Sequence, residues 1–291
     1  MQKRLARILL PALLIASAQR MPAQNDELGR PAAIDRQASG SLYVLDEQGA
    51  VHAVDFQGGK PAVTGSFRLP GGGAESDIAS AQVGGRDVLF VAANFGLIGQ
   101  VSMFSTTGQM SKQYWNFPNG VAGIAYDAAN STLYVASGRT PEIFRIDVAK
   151  NGGPVFLAET PGSQRLGPIL YDARENALLV GDLVMGAIYK VDLVSRKAAL
   201  LFGGLTSPSG MKFSADGALL YVSDDAARRV VTFTVAQPGS APRVFAKIPQ
   251  FRSPSGLAWV AEGLAVSDDG ARRLFILSKS GSLLATLPAA H

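Results

Sequence analysis

The chain of 291 residues contains no cysteine, which excludes disulfides, a thiol nucleophile and thiolate metal ligation. Histidine is almost as scarce. His52 and His291 are too few for a multi-histidine metal centre or a histidine-based triad. His52, at an alternating position of AVHAVDF, reads as a strand residue with its hydrogen bonds satisfied. No Gly-x-Ser-x-Gly elbow occurs. The glycine run at 71–73 opens no helical pattern, so it reads as a loop between repeats and not as a phosphate cradle. Charge excess is also missing. Of 27 Lys and Arg against 23 Asp and Glu, three basic residues (Lys3, Arg4, Arg7) fall in the first 18, which leaves 24 against 23. That balance gives no basic face for nucleic acid or for an anionic membrane surface.

One long apolar run is present, ILLPALLIASA at 8–18. It follows the basic MQKRLAR segment, carries Pro11 and ends in Ala16-Ser17-Ala18. Too short to span a bilayer, it reads as a secretory signal peptide (1–18) cut after Ala18. The expected product is exported, periplasmic or secreted, with no membrane span once the leader is cut. No cysteine follows the run to take a lipid. Residues 19–30 read as a polar lead-in, and the remainder is long enough to be held by its core without disulfides.

What the sequence does have is a repeat. TSPSGMKFSADGALLYVSDDAARRVVTFT (206–234) returns as RSPSGLAWVAEGLAVSDDGARRLFILS (252–278). Degenerate copies of the second apolar segment end at Asp46, Ala93, Ser137, Asp182, Asp224 and Asp268, spaced by 47, 44, 45, 42 and 44 residues. Each copy alternates apolar and polar residues with Gly, Asn or Asp turns every few positions and shows no helical period. Four strands per unit and six units without a composition break predict an all-β chain. It forms one six-bladed β-propeller over 31–291, four antiparallel strands per blade, with 31–37 as the innermost strand of blade 1. The ring is expected to close by exchanging an early or late strand between first and last blades, and a monomer is expected.

YVSDDAARRVVTF (221–233) and AVSDDGARRLFIL (265–277) resemble the NHL repeat. PSGMKFSADGALLYVSDD is similar to the strand pair of the wider superfamily of gluconolactonases and strictosidine-synthase-like proteins. The resemblance implies that loops entering inner strands and loops leaving second strands share one mouth of the central channel. It thereby gathers the ligand-binding candidates Asp46, Asn94, Asn119, Asp182, Ser209, Asp224, Ser255 and Asp268, together with Ser137. Such carboxylates and amides suit a hard cation such as Ca²⁺ or an acid/base pair. The residue chemistry equally suits turn capping and pairing with Arg228, Arg229, Arg272 and Arg273. In the gluconolactonase type the cation is held by a Glu in a Gly-Glu-Gly-Pro segment, two Asn and an Asp. Here Leu28-Gly29-Arg30-Pro31 puts Arg30 in the place of that Glu. Pro208-Ser209-Gly210 and Pro254-Ser255-Gly256 replace the Asn entrances, while Pro118-Asn119-Gly120 keeps the pattern. The metal candidates are therefore Asp77, Asn119, Asp182 and Asp224. Tyr114, Trp115 and Phe117 read as packing between blades.

Two functional readings follow. The first is an exported NHL-like module binding a protein or small molecule at the channel mouth, with no catalytic residue and no cofactor expected. The alternative is a divalent-dependent lactonase or hydrolase. A metal-free lyase site built on an acidic residue is a third possibility.

Overall fold

A computed structural model describes residues 28–37, 40–70 and 73–288. The signal peptide and residues 19–27 of the lead-in lie outside the described residues, as does His291. Among the described residues there is no helix, and none long and apolar enough to cross a membrane.

Six sheets of four antiparallel strands surround an axis. Blade 1 comprises β1 (Pro31–Arg36), β2 (Leu42–Asp46), β3 (Ala50–Gln57) and β4 (Lys60–Arg68). Blade 2 comprises β5 (Ala74–Val83), β6 (Arg86–Phe95), β7 (Ile98–Ser105) and β8 (Met110–Pro118). Blade 3 has β9 (Val121–Asp127), β10 (Thr132–Ser137), β11 (Glu142–Asp147) and β12 (Val155–Glu159). Blade 4 has β13 (Leu166–Asp172), β14 (Ala177–Asp182), β15 (Ala187–Asp192) and β16 (Ala198–Phe202). Blade 5 has β17 (Pro208–Phe213), β18 (Leu219–Asp224), β19 (Arg229–Thr234) and β20 (Arg243–Ala246). Blade 6 has β21 (Pro254–Trp259), β22 (Leu264–Asp268), β23 (Arg273–Leu277) and β24 (Leu283–Pro288). All six second strands fall on the landmarks of the sequence repeat.

Alternation along each strand buries one face against the preceding blade and one against the next, so the hydrophobic core is divided among the seams. Phe90, Phe117, Ile124 and Leu133 fill the seam of blades 2 and 3. Phe202 and Phe233 stack at 4.4 Å between blades 4 and 5. Phe251 meets Phe275 edge-on at 5.3 Å between blades 5 and 6. Each such buried ring contributes about 1.5–3 kcal/mol relative to exposure. Tyr114 and Phe117 do pack between blades, as the sequence suggests.

Closure differs from expectation. Among the described residues no strand is exchanged, because β1 is already an innermost strand and each blade is built from consecutive strands. The ring is joined by side chains instead. Leu28, Ile34, Leu42 and Val44 interlock with Ala258, Ala265, Leu274 and Ile276. Arg36 donates to the Trp259 carbonyl at 3.2 Å across this seam, and Trp259 Nε1 in turn ties blade 6 to blade 5 by donating to the Phe213 carbonyl at 2.7 Å.

The Pro-Ser-Gly entrances have a structural cause. Pro208 pairs with Asp224 but Gly210 with Ser223, and Pro254 pairs with Asp268 but Leu257 with Val266, so a bulge opens each inner strand. The same irregularity opens β1, β5, β9 and β13. A bulge re-aims a side chain out of the ladder. Ala32, Ser76, Ala122, Pro168, Ser209 and Ser255 are thereby turned to the throat of the channel. The glycine that follows has no room for a side chain. A Cβ on Gly256 would lie 2.7 Å from the amide of Ile34 in the next blade.

Candidate functional site

The pairing Pro31↔Asp46, Leu166↔Asp182, Pro208↔Asp224 and Pro254↔Asp268 places second-strand ends beside inner-strand entrances. One face of the ring therefore carries both, which is the mouth that the resemblance implies. At that face the four aspartates are buried, with 3% exposure at Asp46 and 0% at Asp182, Asp224 and Asp268.

Their oxygens are turned into the protein. Asp182 accepts from the Ser163 hydroxyl at 2.6 Å and from the amides of Gln164, Val184 and Met185 at 2.7, 2.8 and 2.9 Å. Burial alone would raise this carboxyl, but the Ser163 hydroxyl and the three amides outweigh it and hold it below the ordinary range. Asp224 accepts from the amides of Thr206 and Ser207 at 2.8 and 2.9 Å and pairs with Arg229 at 2.8 Å. Asp268 accepts from the amides of Arg252, Ser253 and Ala271. Asp46 accepts from the Gln48 and Ala50 amides and meets His52 Nε2 at 3.2 Å. Each carboxylate thus clasps a mouth-side turn, and in blades 4, 5 and 6 it ties the loop entering the blade to the blade's own second strand.

His52 completes its bonding with the Ser66 hydroxyl at 2.8 Å, as a satisfied strand residue should. Of the four arginines near the Asp-Asp dipeptides, Arg229 pairs with Asp224. Arg228 and Arg272 hold left-handed turn positions at φ 52° and 54°.

The amide and hydroxyl candidates lie nearer the opening. Asn94 reaches forward to blade 3, accepting from the Val121 amide at 2.7 Å and donating to its carbonyl at 2.9 Å. Ser137 is buried and accepts from the Thr140 hydroxyl at 2.8 Å. Ser209 donates to the Pro254 carbonyl at 2.8 Å, and Ser255 meets the Ser267 hydroxyl at 2.8 Å. Asn119, at φ 75°, forms with Gly120 the short turn joining β8 to β9. Pro118-Asn119-Gly120 is therefore an inter-blade turn and not a bulge; the bulge of blade 3 is at Ala122. Asn94, Asn119, Ser209 and Ser255 line a basin of about 550 Å³ with Arg139, Arg165, Leu166 and Leu183.

Below the throat the channel widens to a cavity of about 330 Å³. Sequence reasoning missed its two principal residues, Asp35 and Lys212. Lys212 extends from blade 5 past blade 6 to Asp35 of blade 1, Nζ to Oδ1 at 2.9 Å. Asp35 Oδ2 accepts from the amide and hydroxyl of Ser80 in blade 2 at 2.8 and 2.9 Å. Asp77 stands in the same cavity and accepts from the amides of Ile78 and Ile124. Burial pushes its carboxyl up to about 7. The two amides act against that shift, Asp35 adds to it and Lys212 opposes it. Lys212 is raised chiefly by Asp35. The available signal was an ionisable residue late in a mostly apolar innermost strand, Asp35 in PAAIDR and Lys212 in PSGMKF.

The four metal candidates do not converge. Asp182 and Asp224 spend their lone pairs on the clasps, Asp77 sits in the channel, and Asn119 lies in a turn at the basin. Among the described residues no group of three or more carboxylate or imidazole side chains is placed to hold a metal ion. This donor set fits poorly with a hard cation, which takes about six to eight oxygens.

Residues 171–288 match the family model described as SMP-30/Gluconolactonase/LRE-like region. That match and the six-bladed architecture together support the superfamily that the repeat resembles. No curated protein matches the chain by sequence. Among solved structures, a catalytically inactive virginiamycin B lyase from Staphylococcus aureus with quinupristin superimposes with TM-score 0.66 at 18% identity, over 93% of this chain and 88% of the other. The nidogen/laminin complex gives TM-score 0.67 at 15% identity, over 85% and 97%. An auxiliary nutrient-binding protein from Bacteroides thetaiotaomicron gives 0.66 at 14%, over 85% and 68%. At such identities the likeness is one of fold.

Proposed function

We propose that the chain is an exported binding module that takes its ligand in the basin at the channel mouth. One observation carries this reading. The aspartates that repeat around the ring are engaged in holding loops, while the basin of about 550 Å³, lined mostly by blades 2 to 4 but drawn from all six, presents arginine, amide, hydroxyl and apolar side chains and no carboxylate among the described ones. Ligand sites of that size are mostly apolar concavities with a few polar groups that fix orientation. A mouth so equipped holds a molecule and lacks the acid–base pair or oxygen cage needed to transform it.

The test is thermal unfolding of the purified protein against soluble metabolites, and separately against Ca²⁺, Mg²⁺, Mn²⁺ and Zn²⁺ with EDTA. A ligand at 100 times its dissociation constant stabilises by about 2.7 kcal/mol. The expected result is a saturable metabolite shift that is lost in Ala122→Phe, which narrows the throat. A shift with one cation, reversed by EDTA, would replace this reading with the metal-dependent hydrolase. Export predicts a mature N-terminus at Gln19, read by mass spectrometry of the periplasmic or medium fraction.

A further inference from the structure

The mouth is not uniform around the ring. On blades 5, 6 and 1 acids and arginines pair: Arg229 with Asp224 at 2.8 Å, and Arg30 with Glu47 at 3.0 Å and Asp269 at 2.9 Å. Asp225 lies in the same sector, and burial, with Asp268, Asp269 and Asp224 around it, raises its carboxyl. On blades 3 and 4 the arrangement is different. Arg139 and Arg165 are exposed, line the basin and make no ion pair among the described residues. Arg139 has only a long bond, 3.3 Å, to the Gly96 carbonyl of blade 2. The nearby Glu142 accepts from the Thr140 hydroxyl at 2.7 Å. Two cations therefore face a concavity whose described walls hold no carboxylate.

The rim of this sector is apolar. Leu97 and Ile98 on the blade 2 hairpin are 64% and 52% exposed, and Val184 and Met185 on the blade 4 hairpin 55% and 50%. Their chain neighbours Gly96 and Leu183 line the basin together with the arginines, and Arg139 bonds the Gly96 carbonyl, so both apolar tips stand at the basin's edge. Apolar tips around a positive basin whose described walls hold no carboxylate match a molecule with one anionic head and one apolar body.

We infer that the ligand is an amphipathic organic anion, its carboxylate or phosphate held by Arg139 and Arg165 and its apolar part laid against Leu97, Ile98, Val184 and Met185. This rests on the binding reading above and narrows it to a ligand class and to one sector of the mouth. Lactone hydrolysis plays no part in it.

Calorimetric titration with decanoate, acetate, inorganic phosphate and decyl maltoside, each below micelle-forming concentration, tests it. Decanoate is expected to bind saturably. Acetate, phosphate and the neutral maltoside should each bind about tenfold or more weaker, because each offers only half of the match. Arg139→Gln and Arg165→Gln should weaken decanoate by about tenfold. Leu97→Asp and Val184→Asp, at exposed positions that tolerate charge, should do so as well. Decyl maltoside binding as tightly as decanoate, and unaffected by the arginine variants, would mean a purely apolar occupant. Acetate or phosphate binding as tightly would mean a simple anion patch. Either result overturns the inference, as does no decanoate binding at all. A neutral metabolite found by the thermal screen, and lost in Ala122→Phe, would leave the binding module standing while this ligand class falls.

Discussion

Two sets of aspartates in this propeller occupy opposite circumstances. Asp182, Asp224 and Asp268 recur at nearly constant spacing, are fully buried, and receive amide and hydroxyl donors aimed at them from adjacent loops. Asp35 and Asp77 obey no repeat and face the channel, one beside a lysine from across the lumen, the other with two amides. The same side chain is a structural clasp where hydroxyl and amide donors outweigh burial, as at Asp182, and a carboxyl pushed well up where burial outweighs its two amides, as at Asp77. Repetition in this chain marks scaffold. Departures from repetition mark the channel and its mouth.

The largest effect expected from breaking that contrast is at a clasp. Asp224→Ala leaves two loop amides and Arg229 without their acceptor, and should lower unfolding free energy by about 3–5 kcal/mol. Urea denaturation would show this as a shifted midpoint with unchanged slope. A change under about 0.5 kcal/mol would show that the loop finds other acceptors.

Asp77 should behave in the opposite sense. Its folded-state carboxyl, near 7, lies above the unfolded value. Its contribution is therefore fully present below about pH 4 and is lost as pH rises to about 7. Asp77→Asn should match the parent at pH 4 and exceed it at pH 8 by on the order of 2–4 kcal/mol. Stability curves that stay parallel across that range would refute a buried, mostly protonated acid. Asp182 runs the other way: held low, it contributes above about pH 4 and is lost as pH falls through its folded-state value.

The smallest effect belongs to the lysine across the lumen. Lys212→Met should destabilise by about 1 kcal/mol, and Asp35→Asn in the same chain should recover part of that, giving a coupling of about 0.5–2 kcal/mol. Strict additivity would make the pair a bystander.

The fold was legible in the sequence because strands alternate and turns recur with a fixed period. Asp46, Asp182, Asp224 and Asp268 stood out for the same reason. Some of their partners recur with them, Ser207 and Ser253 opening the two Ser-Pro-Ser-Gly copies and Arg229 following the Asp-Asp pair, but Ser163 and Gln164 of blade 4 lie in a loop with no pattern of its own. Asn119 shows how a motif can mislead: Pro-Asn-Gly resembles a bulged entrance, yet left-handed backbone at Asn119 and Gly120 makes it the turn between blades 2 and 3. Arg139 and Arg165 carry no periodic signal at all. They line one basin because Arg139 stands on the β10–β11 hairpin and Arg165 on the connection from β12 of blade 3 into β13 of blade 4.

A ring whose blades are each made of consecutive strands has no privileged beginning. Leu28 and Pro288 lie at opposite sides of a single seam. Every other seam on the mouth face is crossed by a short connection such as 160–165 or 203–207. The break between the described ends is thus one missing connector among six equivalent positions. Joining 288 to 28 by a short polar linker, and opening the chain at 160–165, should yield a circular permutant with the same ring and the same mouth.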